Sequence, residues 1–419
     1  MHGGNVKPRP RSGGKVVFDR LWKGRRIERL WKGRRIERIW HDHRRVVVAA
    51  GAGILVVALI GTGLLVAAGG KASPTLAPSA SIGVAIASPS ASGSPTSTTL
   101  ATPSDTPGPN PLPTGWAYSD LDGLPALAAN AHALPLAVML GDYPAARPLS
   151  GFSTASIVYE SYEEYQEDRY MLVFQEARAL SIGGVRSTRP YFVRWAAEYK
   201  ALLGHDGGDT TVRNVVIPAM IASGNIYNMD EATSGGCAYH RVTNRVAPHD
   251  LYTTTSDLMS CAAAKSFPKT FQATDSRLFG GDAPAVGRPT SQTITVPYTN
   301  STASYRFDPT TDSYLRLVDG QPQVDAANKQ QVYARNVIVM YQTVSQAPLD
   351  FGIERIEIAN VGSGKAIVFK EGKAIAGTWK KTSDTALTRF YDDSGNEIPL
   401  VRGSIFIQSV PPGTAVTYK

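Results

Sequence analysis

Two arginines stand three residues apart in the stretch GGVRSTRPYF, which covers residues 183–192. Pro190 suits the first position of a helix, because its fixed φ fits helical geometry and its missing N–H needs no partner there. Arg186 and Arg189 would then place guanidinium groups near the free N–H groups and the positive end of the helix dipole. Guanidinium pairs well with carboxylate and phosphate. With Ser187 between them, the two arginines predict a site for an anionic ligand.

The same arginines have a second interpretation, as part of the internal framework of the fold. The acidic residues Glu160, Glu163 and Glu164 lie on a strand-like segment that precedes them. A buried arginine is normally paired with a carboxylate, because an isolated buried charge is costly. The sequence alone leaves both interpretations open.

A histidine and two aspartates surround a glycine pair in LLGHDGGDT, residues 202–210. A strand end followed by glycines and a helix is where α/β folds bind ligands. Three roles compete for His205: a general base, a metal ligand together with Asp206, Asp209 and the distant His249–Asp250 pair, or a hydrogen-bonded side chain in a tight turn. The spacing is too loose for a metal site, so no metal is predicted, and Asp206 is kept as a candidate ligand-binding residue.

A third constellation is RVAPHDLYTTTSD, residues 245–257. The proline predicts an irregular loop, in which His249 either lines a pocket or stabilises the loop. Arg245, at the start of the loop, is a further candidate ligand-binding residue. Thr254 and Asp257 resemble a capping box and predict that a helix begins there.

Catalysis is the alternative to binding. His205 or His249 with an acidic partner such as Glu160 would form an acid/base pair for an envelope hydrolase or transferase. The sequence contains no G-x-S-x-G nucleophile motif, and Ser187 has no activating base beside it. Binding is therefore favoured over catalysis, and no cofactor is predicted.

The chain has two cysteines, Cys237 and Cys261, which are 24 residues apart. An even number of cysteines outside the cytoplasm favours pairing. A disulfide would fix the glycine-rich loop TSGGCAYH against the helix that carries Cys261. Two independent thiols are the alternative.

Two regions with different patterns position these residues. Residues 116–289 alternate strand and helix patterns, and they include a hairpin formed by SIVYESYEEY and RYMLVFQE. Residues 290–419 show almost only strands and turns. The prediction is an α+β (mixed α/β) fold, with an N-terminal α/β part that contains a mixed sheet and a C-terminal β-rich meander part.

The first 115 residues form three segments without a core. Residues 1–45 are a basic tail that carries 15 Lys+Arg against 4 Asp+Glu and repeats the nine-residue unit RLWKGRRIE. Residues 46–70, from Val46 to Gly70, hold no charge and are long enough for one transmembrane helix. Residues 71–115 are rich in Ser, Thr and Pro and predict a disordered linker.

The charge distribution predicts the topology. Basic residues flank membrane helices on the cytoplasmic side, so the span is expected to be a signal anchor with a cytoplasmic N-terminus and an extracytoplasmic folded domain. The tail is expected to contact anionic lipid headgroups. Beyond the tail the chain carries 28 Lys+Arg and 31 Asp+Glu, so the pI of 9.3 reflects the tail and no nucleic-acid partner is predicted.

A series of ordered motifs resembles the YerB-like family of bacterial envelope proteins. The motifs are PLAVMLGDYPAARPLSG, ASIVYE, GGVRSTRPYF, GHDGG, RVAPHDLY, RNVIV, VGSGKAIVF and RFYDDSGNEI. The resemblance implies an extracytoplasmic fold with an α/β part followed by a β-rich part, usually tethered as a lipoprotein, and no assigned activity. This chain has no cysteine near the end of its apolar span, so we expect the transmembrane helix to replace the lipid anchor. The expected ligand is a peptidoglycan carboxylate or a phosphate-bearing wall polymer.

Overall fold

The computed structural model describes residues 111–164, 167–175, 178–234, 236–273 and 275–419. The predicted tail (1–45) and transmembrane helix (46–70) lie outside these ranges, as does the linker up to residue 110. Within the ranges, no helix is both long and apolar enough to cross a membrane. The two predicted parts, 116–289 and 290–419, lie in one compact unit.

The helices of the described residues are few and short. They are α1 Ala128–Ala131, α2 Pro190–Ala197, α3 Ile217–Ala222, α4 Glu231–Ser234 and α5 Thr255–Ala264. Two 3₁₀ turns, Pro144–Ala146 and Phe152–Thr154, and a π-helical turn, Val212–Val216, complete the set. The π-helical turn leads into α3 close to Pro218, which has no N–H to donate to the preceding turn.

Strands dominate both parts of the chain. The first ten are β1 Trp116–Tyr118, β2 Pro125–Leu127, β3 Leu136–Gly141, β4 Ile157–Tyr162, β5 Asp168–Phe174, β6 Ile182–Gly183, β7 Leu202–His205, β8 Tyr227–Asp230, β9 His240–Arg241 and β10 Leu251–Thr253. The others are β11 Phe279–Gly280, β12 Thr293–Pro297, β13 Thr302–Asp308, β14 Ser313–Val318, β15 Gln321–Pro322, β16 Tyr333–Ala334, β17 Asn336–Tyr341, β18 Val344–Asp350, β19 Ile353–Ile358, β20 Gly362–Lys370, β21 Lys373–Lys381, β22 Arg389–Asp392, β23 Leu400–Val401, β24 Ile405–Val410 and β25 Thr417–Tyr418.

A ten-stranded mixed sheet forms the centre of the fold. Its strand order is β22-β21-β20-β17-β24-β4-β5-β3-β7-β8, so each half of the chain supplies five neighbouring strands. The halves meet where β24 pairs in parallel with β4. The sheet and the few helices agree with a mixed, strand-rich fold.

The sequence of β3 shows why this sheet is buried on both faces. LAVMLG is continuously apolar, as expected for a strand that is covered on both sides. Successive side chains point to opposite faces, so Leu136 and Val138 join one core while Ala137 and Met139 join the other.

Different elements cover the two faces. Helix α2 covers one of them with aromatic side chains, among them Phe192 and Trp195. The other face packs against a second sheet, with strand order β15-β14-β13-β12-β25, through residues such as Ile294 and Tyr314. The second sheet therefore lies against strands from both halves of the chain.

Several local predictions are confirmed. The β4–β5 hairpin forms as an antiparallel pair, and α2 begins at Pro190 with Arg189 as an N-cap that makes no side-chain capping bond. Helix α5 begins after Thr254, whose hydroxyl accepts a hydrogen bond from the Asp257 N–H at 2.9 Å. Each of these features depends on neighbouring residues in the sequence.

Candidate functional site

The carboxyl ends of three strands meet at one edge of the central sheet. β3 and β7 are parallel, and β4 runs in the same direction because both β3 and β4 are antiparallel to β5. Ligands of open α/β sheets bind outside such carboxyl ends. Tyr143, Glu163 and Asp206 closely follow these three strands. This edge is the candidate site.

Residues 183–189 cross the edge as an extended segment that backbone hydrogen bonds hold in place. The Arg186 N–H donates to the carbonyl of Met139 in β3 at 3.0 Å, and the Asp206 N–H after β7 donates to the carbonyl of Arg186 at 3.0 Å. The backbone thereby fixes where the arginine side chains start.

Two glycines let β10 and the loop before it pack directly on this segment. A Cβ at Gly183 would lie 2.4 Å from the Tyr252 ring, and a Cβ at Gly184 would lie 2.8 Å from the His249 carbonyl oxygen. The peptide bond between the two glycines is cis. Glycine is required here for close approach, which brings His249 next to the arginine segment.

Arg189 belongs to a buried ion-pair network. Its guanidinium contacts Glu164 at 2.7 Å and Glu163 at 3.0 Å, and Arg169 contacts Glu163 at 2.5 Å. Arg355 from β19 also pairs with Glu164. Arg189 therefore has the structural role that the framework interpretation gave to both arginines.

Ser187 is tied to the same network. Its carbonyl accepts a hydrogen bond from Arg169 at 2.8 Å. Its hydroxyl accepts from Nη1 of Arg189 at 3.3 Å and from Nη1 of Arg169 at 3.4 Å. Two cationic donors at a hydroxyl do not make it a nucleophile, because activation needs a base that takes the proton.

Arg186 differs from its neighbour. Within the described ranges its guanidinium makes no ion pair and no hydrogen bond, and its buried Nε has no partner. The side chain runs over Gly141, and its guanidinium carbon lies 5.8 Å from the centre of the Tyr143 ring. It is half-buried, so a ligand can reach it.

His249 lies beside Arg186 and Tyr143. Its ring centre is 5.5 Å from that of Tyr143, and its buried Nδ1 has no hydrogen-bond partner in the described part of the chain. Burial lowers the pKa of His249, and the charges of Arg186 and Arg245 lower it further. The imidazole is therefore neutral at pH 7 and leaves Arg186 as the cation of this cleft.

Two carboxylates stand near the cleft. Burial and the charge of Glu163 raise the pKa of Glu167 to about 7, so this side chain is partly protonated at neutral pH. Asp206 is half-buried at the end of β7. Because carboxylates repel an anion, a ligand in this cleft has to place its negative charge close to Arg186.

Arg245 has a structural role, although the sequence made it a ligand-binding candidate. Its guanidinium donates to four backbone carbonyls, those of Ala145 at 3.4 Å, Ala146 at 3.0 Å, Arg147 at 3.0 Å and Pro148 at 2.8 Å. It thus holds the loop after β3 against the loop that carries His249.

His205 is completely buried, and both of its ring nitrogens are occupied. Nδ1 lies 2.8 Å from the carbonyl oxygen of Gly207, and Nε2 lies 2.8 Å from Oδ1 of Asn228 in β8. The tight-turn interpretation accounts for the Gly207 contact, and the Asn228 contact comes from the neighbouring strand β8. No ring nitrogen remains for a substrate or a metal in this geometry.

Comparisons with known proteins match two long stretches of the described region. Residues 121–268 match the N-terminal domain, and residues 294–407 the C-terminal domain, of the protein family of unknown function DUF3048. The chain belongs to the YerB-like DUF3048 family.

The YerB protein of Bacillus subtilis (strain 168), a predicted lipoprotein, is 28% identical over 282 residues, which cover 66% of this chain and 81% of that protein. The crystal structure of B. subtilis YerB matches with a TM-score of 0.63 at 26% identity, covering 72% of this chain and 99% of that one. The boundary between the two family domains falls close to the predicted change in pattern near residue 290.

In this YerB-like chain Glu160 pairs with an arginine, and within the described ranges it makes no hydrogen bond to His205 or His249. It is 1% exposed, and its Oε2 pairs with Arg316 of the second sheet at 2.7 Å. Burial raises the pKa of Glu160, and Arg316 opposes that shift. Glu160 is one of three buried carboxylates, with Asp142 and Asp168, that come close enough to offer oxygens to a cation.

The predicted disulfide is confirmed. Cys237 and Cys261 are bonded, with their Cα atoms 5.6 Å apart. The bond joins the loop after α4 to α5, and it lies in the N-terminal YerB-like domain. The loop that leads to His249 is thereby anchored from one side.

A separate groove of about 270 Å³ opens at the start of β20. Tyr341, Lys365 and Trp379 are among the residues that line it, and the Lys365 ammonium lies 5.4 Å from the centre of the Tyr341 ring. None of the candidate site residues lines this groove.

Sequence reasoning missed Tyr143 and Arg316. Tyr143 directly follows Asp142 in the motif LGDYPAARPLSG, so its place at a strand end was visible in the sequence. Arg316 is 156 residues from Glu160, and no local pattern links the two.

Proposed function

We propose that this protein is a membrane-tethered extracytoplasmic protein that binds an anionic cell-envelope ligand at Arg186. The ligand is a carboxylate of peptidoglycan or a phosphate-bearing wall polymer. The relative's description as a lipoprotein supports a membrane-associated place outside the cytoplasm. In this chain the apolar segment 46–70 would supply the anchor.

One observation carries the proposal. Arg169, Arg189 and Arg355 each contact Glu163 or Glu164, whereas the Arg186 guanidinium has no partner among the described residues. A half-buried guanidinium has lost part of its hydration, so an anion that pairs with it gains more than it would on an open surface. The neighbouring arginines are neutralised and do not compete for that anion.

The groups around Arg186 suit a carboxylate or phosphate. Tyr143 and His249 can each donate one hydrogen bond, and the Tyr143 ring supports the guanidinium face. A charge-assisted hydrogen bond contributes about 1.5–3 kcal/mol, which corresponds to a loss of roughly ten- to 150-fold in affinity when Arg186 is removed.

The alternative, an envelope hydrolase or transferase, has less support. His205 is buried with both nitrogens bonded, and Glu160 is held by Arg316. The acidic neighbour of His249, Asp250, pairs with Arg241 at 2.7 Å. Neither histidine therefore has a carboxylate that orients it for acid/base chemistry.

Sedimentation with purified cell-wall sacculi tests the proposal. We expect the full-length protein in detergent to co-sediment with sacculi, and Arg186→Glu to stay in the supernatant. Arg306→Glu is the matched control, because Arg306 is exposed on β13 and its reversal changes the net charge equally.

Sacculi stripped of phosphate polymers separate the two ligand sources. Retention that survives the stripping assigns the peptidoglycan carboxylates, and retention that disappears assigns the polymer phosphate. If Arg186→Glu and Arg306→Glu sediment equally well, Arg186 does not bind the ligand.

A further inference from the structure

Three acidic residues meet in the interior, between the central sheet and the second sheet. Asp142 follows β3, Glu160 lies in β4 and Asp168 begins β5, so the three come from neighbouring strands. One oxygen from each lies within 4.8 Å of the others, and the side chains are 4%, 1% and 3% exposed. Three negative charges at this spacing cannot all persist without compensation.

Two arginines provide part of the compensation. Arg147 donates to both oxygens of Asp142 at 2.8 Å, and Arg316 donates to Oε2 of Glu160 at 2.7 Å. Arg147 also pairs with the exposed Asp319 at 2.7 Å, so the three buried carboxylates and two guanidiniums leave at least one negative charge uncompensated. The remaining charge falls on Asp168, whose Oδ2 accepts a hydrogen bond only from the neutral hydroxyl of Ser301 among the described residues.

Two oxygens in the cluster are buried without any hydrogen-bond partner in the described ranges. They are Oε1 of Glu160 and Oδ1 of Asp168. A buried acceptor without a partner is costly, and native structures rarely keep one. One proton shared between these two oxygens would supply both the missing hydrogen bond and the missing positive charge.

A hard metal ion would fit this cluster less well. Mg²⁺ and Ca²⁺ take six or more oxygen ligands, and only the two orphan oxygens are unengaged by protein donors. A divalent ion would also change the local charge from one negative to one positive, next to Arg316 and Arg147.

We propose that the folded protein keeps one proton on the Glu160–Asp168 carboxyl pair at neutral pH, where β4 and β5 face the second sheet. Burial and the charge of Glu160 raise the pKa of Asp168 to about 8, in agreement with the geometry. Burial also raises the pKa of Glu160.

The phenols and guanidiniums that face the pair provide no other titration near neutral pH. Burial raises the pKa of each nearby phenol, so these side chains stay neutral, and the arginines stay charged. The facing groups are Asp142, Arg147, Tyr162, Tyr170, Tyr298, Ser301, Tyr305, Arg316 and Gln408.

The sign of the pH dependence follows from linkage. The folded pKa lies above the unfolded value of about 4, so the folded state binds the extra proton between about pH 4 and 8. The stabilisation is complete below pH 4 and is lost as the pH rises to about 8. Over that window the Glu160–Asp168 pair makes the unfolding equilibrium constant rise about tenfold per pH unit.

Asp168→Asn tests the proposal, because its amide can donate to Glu160 as the proton would and can still accept from Ser301. Urea unfolding of the full-length protein is measured from pH 5 to 9, with the exposed Asp393→Asn as the matched control. We expect the ratio of the wild-type to the Asp168→Asn unfolding constant to rise about tenfold per pH unit up to about pH 8 and then to level. The ratio to Asp393→Asn stays flat.

A ratio for Asp168→Asn that does not change with pH overturns the proposal. So does stabilisation of the wild type, but not of the variant, by added Na⁺ or Ca²⁺, because a cation would then occupy the cluster. If Asp168→Asn does not fold, Glu160→Gln replaces it. Infrared difference spectra between the wild type and Asp168→Asn give an independent readout, because protonated Glu167 contributes equally to both. A protonated carboxyl band at pH 7 that the variant lacks, and that disappears above pH 9, supports the proposal, and its absence from the difference spectrum at pH 7 refutes it.

Discussion

Replacing each of the two motif arginines by alanine should affect stability very differently. Arg189 is 5% exposed and contacts Glu163 and Glu164, whose side chains are 2% and 1% exposed. Removal of one partner from a buried ion pair costs about 3–5 kcal/mol, because the other charge stays buried. Glu163 keeps Arg169 and Glu164 keeps Arg355, so we expect Arg189→Ala to lower the free energy of unfolding by about 3 kcal/mol.

Arg186→Ala should cost less than about 1 kcal/mol, because its removal leaves no carboxylate unpaired and loses only the packing over Gly141 and the contact with the Tyr143 ring. Urea unfolding of both variants, with Arg306→Ala as an exposed control, measures the difference at constant m-value. Equal losses for Arg186→Ala and Arg189→Ala would refute the assignment of separate roles to these arginines.

Three further outcomes follow from the same structure. Reduction of the Cys237–Cys261 bond, or Cys261→Ala, should lower the free energy of unfolding by roughly 3 kcal/mol, since the bond closes a loop of 24 residues; unchanged stability in reductant would contradict this. The pKa of His249, followed by NMR, should lie below 6.5 and should rise when an anion binds Arg186, so that binding tightens as the pH falls; a pKa that does not move with ligand would speak against a shared site. Residues 115–419 expressed alone should unfold cooperatively, and aggregation or a gradual transition would show that the N-terminal segments are needed for folding.

Local features of this fold could be predicted because their causes are local. Pro190 fixes the start of α2, and Thr254 caps α5 through an N–H three residues away. The hairpin depends on two apolar runs joined by a short polar turn, and the disulfide on an even number of cysteines, and the sequence shows both directly.

The different roles of Arg186 and Arg189 could not be predicted from the sequence. Arg186 and Arg189 occur in the same motif, and what separates them is contact with Glu164, which lies 25 residues from Arg189, and with Arg355 in the other half of the chain. His205 raises the same difficulty, since Asn228 occupies one of its nitrogens from the next strand. The residue types suggest chemistry, and the long-range packing decides whether they are available for it.

The domain organisation shows a similar limit. The sequence changes near residue 290 from alternating strand and helix patterns to strand patterns alone, and the two family domains lie on either side of this position. Periodicity within each part does not reveal that β24 pairs with β4 and so continues one sheet across both parts. Strand pairing between distant segments has no signal in local sequence.

The most direct test of the account is the dissociation constant of solubilised cell-wall fragments for the full-length protein, for Arg186→Glu and for Arg306→Glu. Arg186 is the cation that lacks a partner in the described cleft, so we expect Arg186→Glu to bind at least about tenfold more weakly than the wild type. Arg306→Glu should bind within about twofold of the wild type, since its charge lies on an exposed strand position. Equal dissociation constants for Arg186→Glu and the wild type would contradict the central claim that Arg186 binds the ligand.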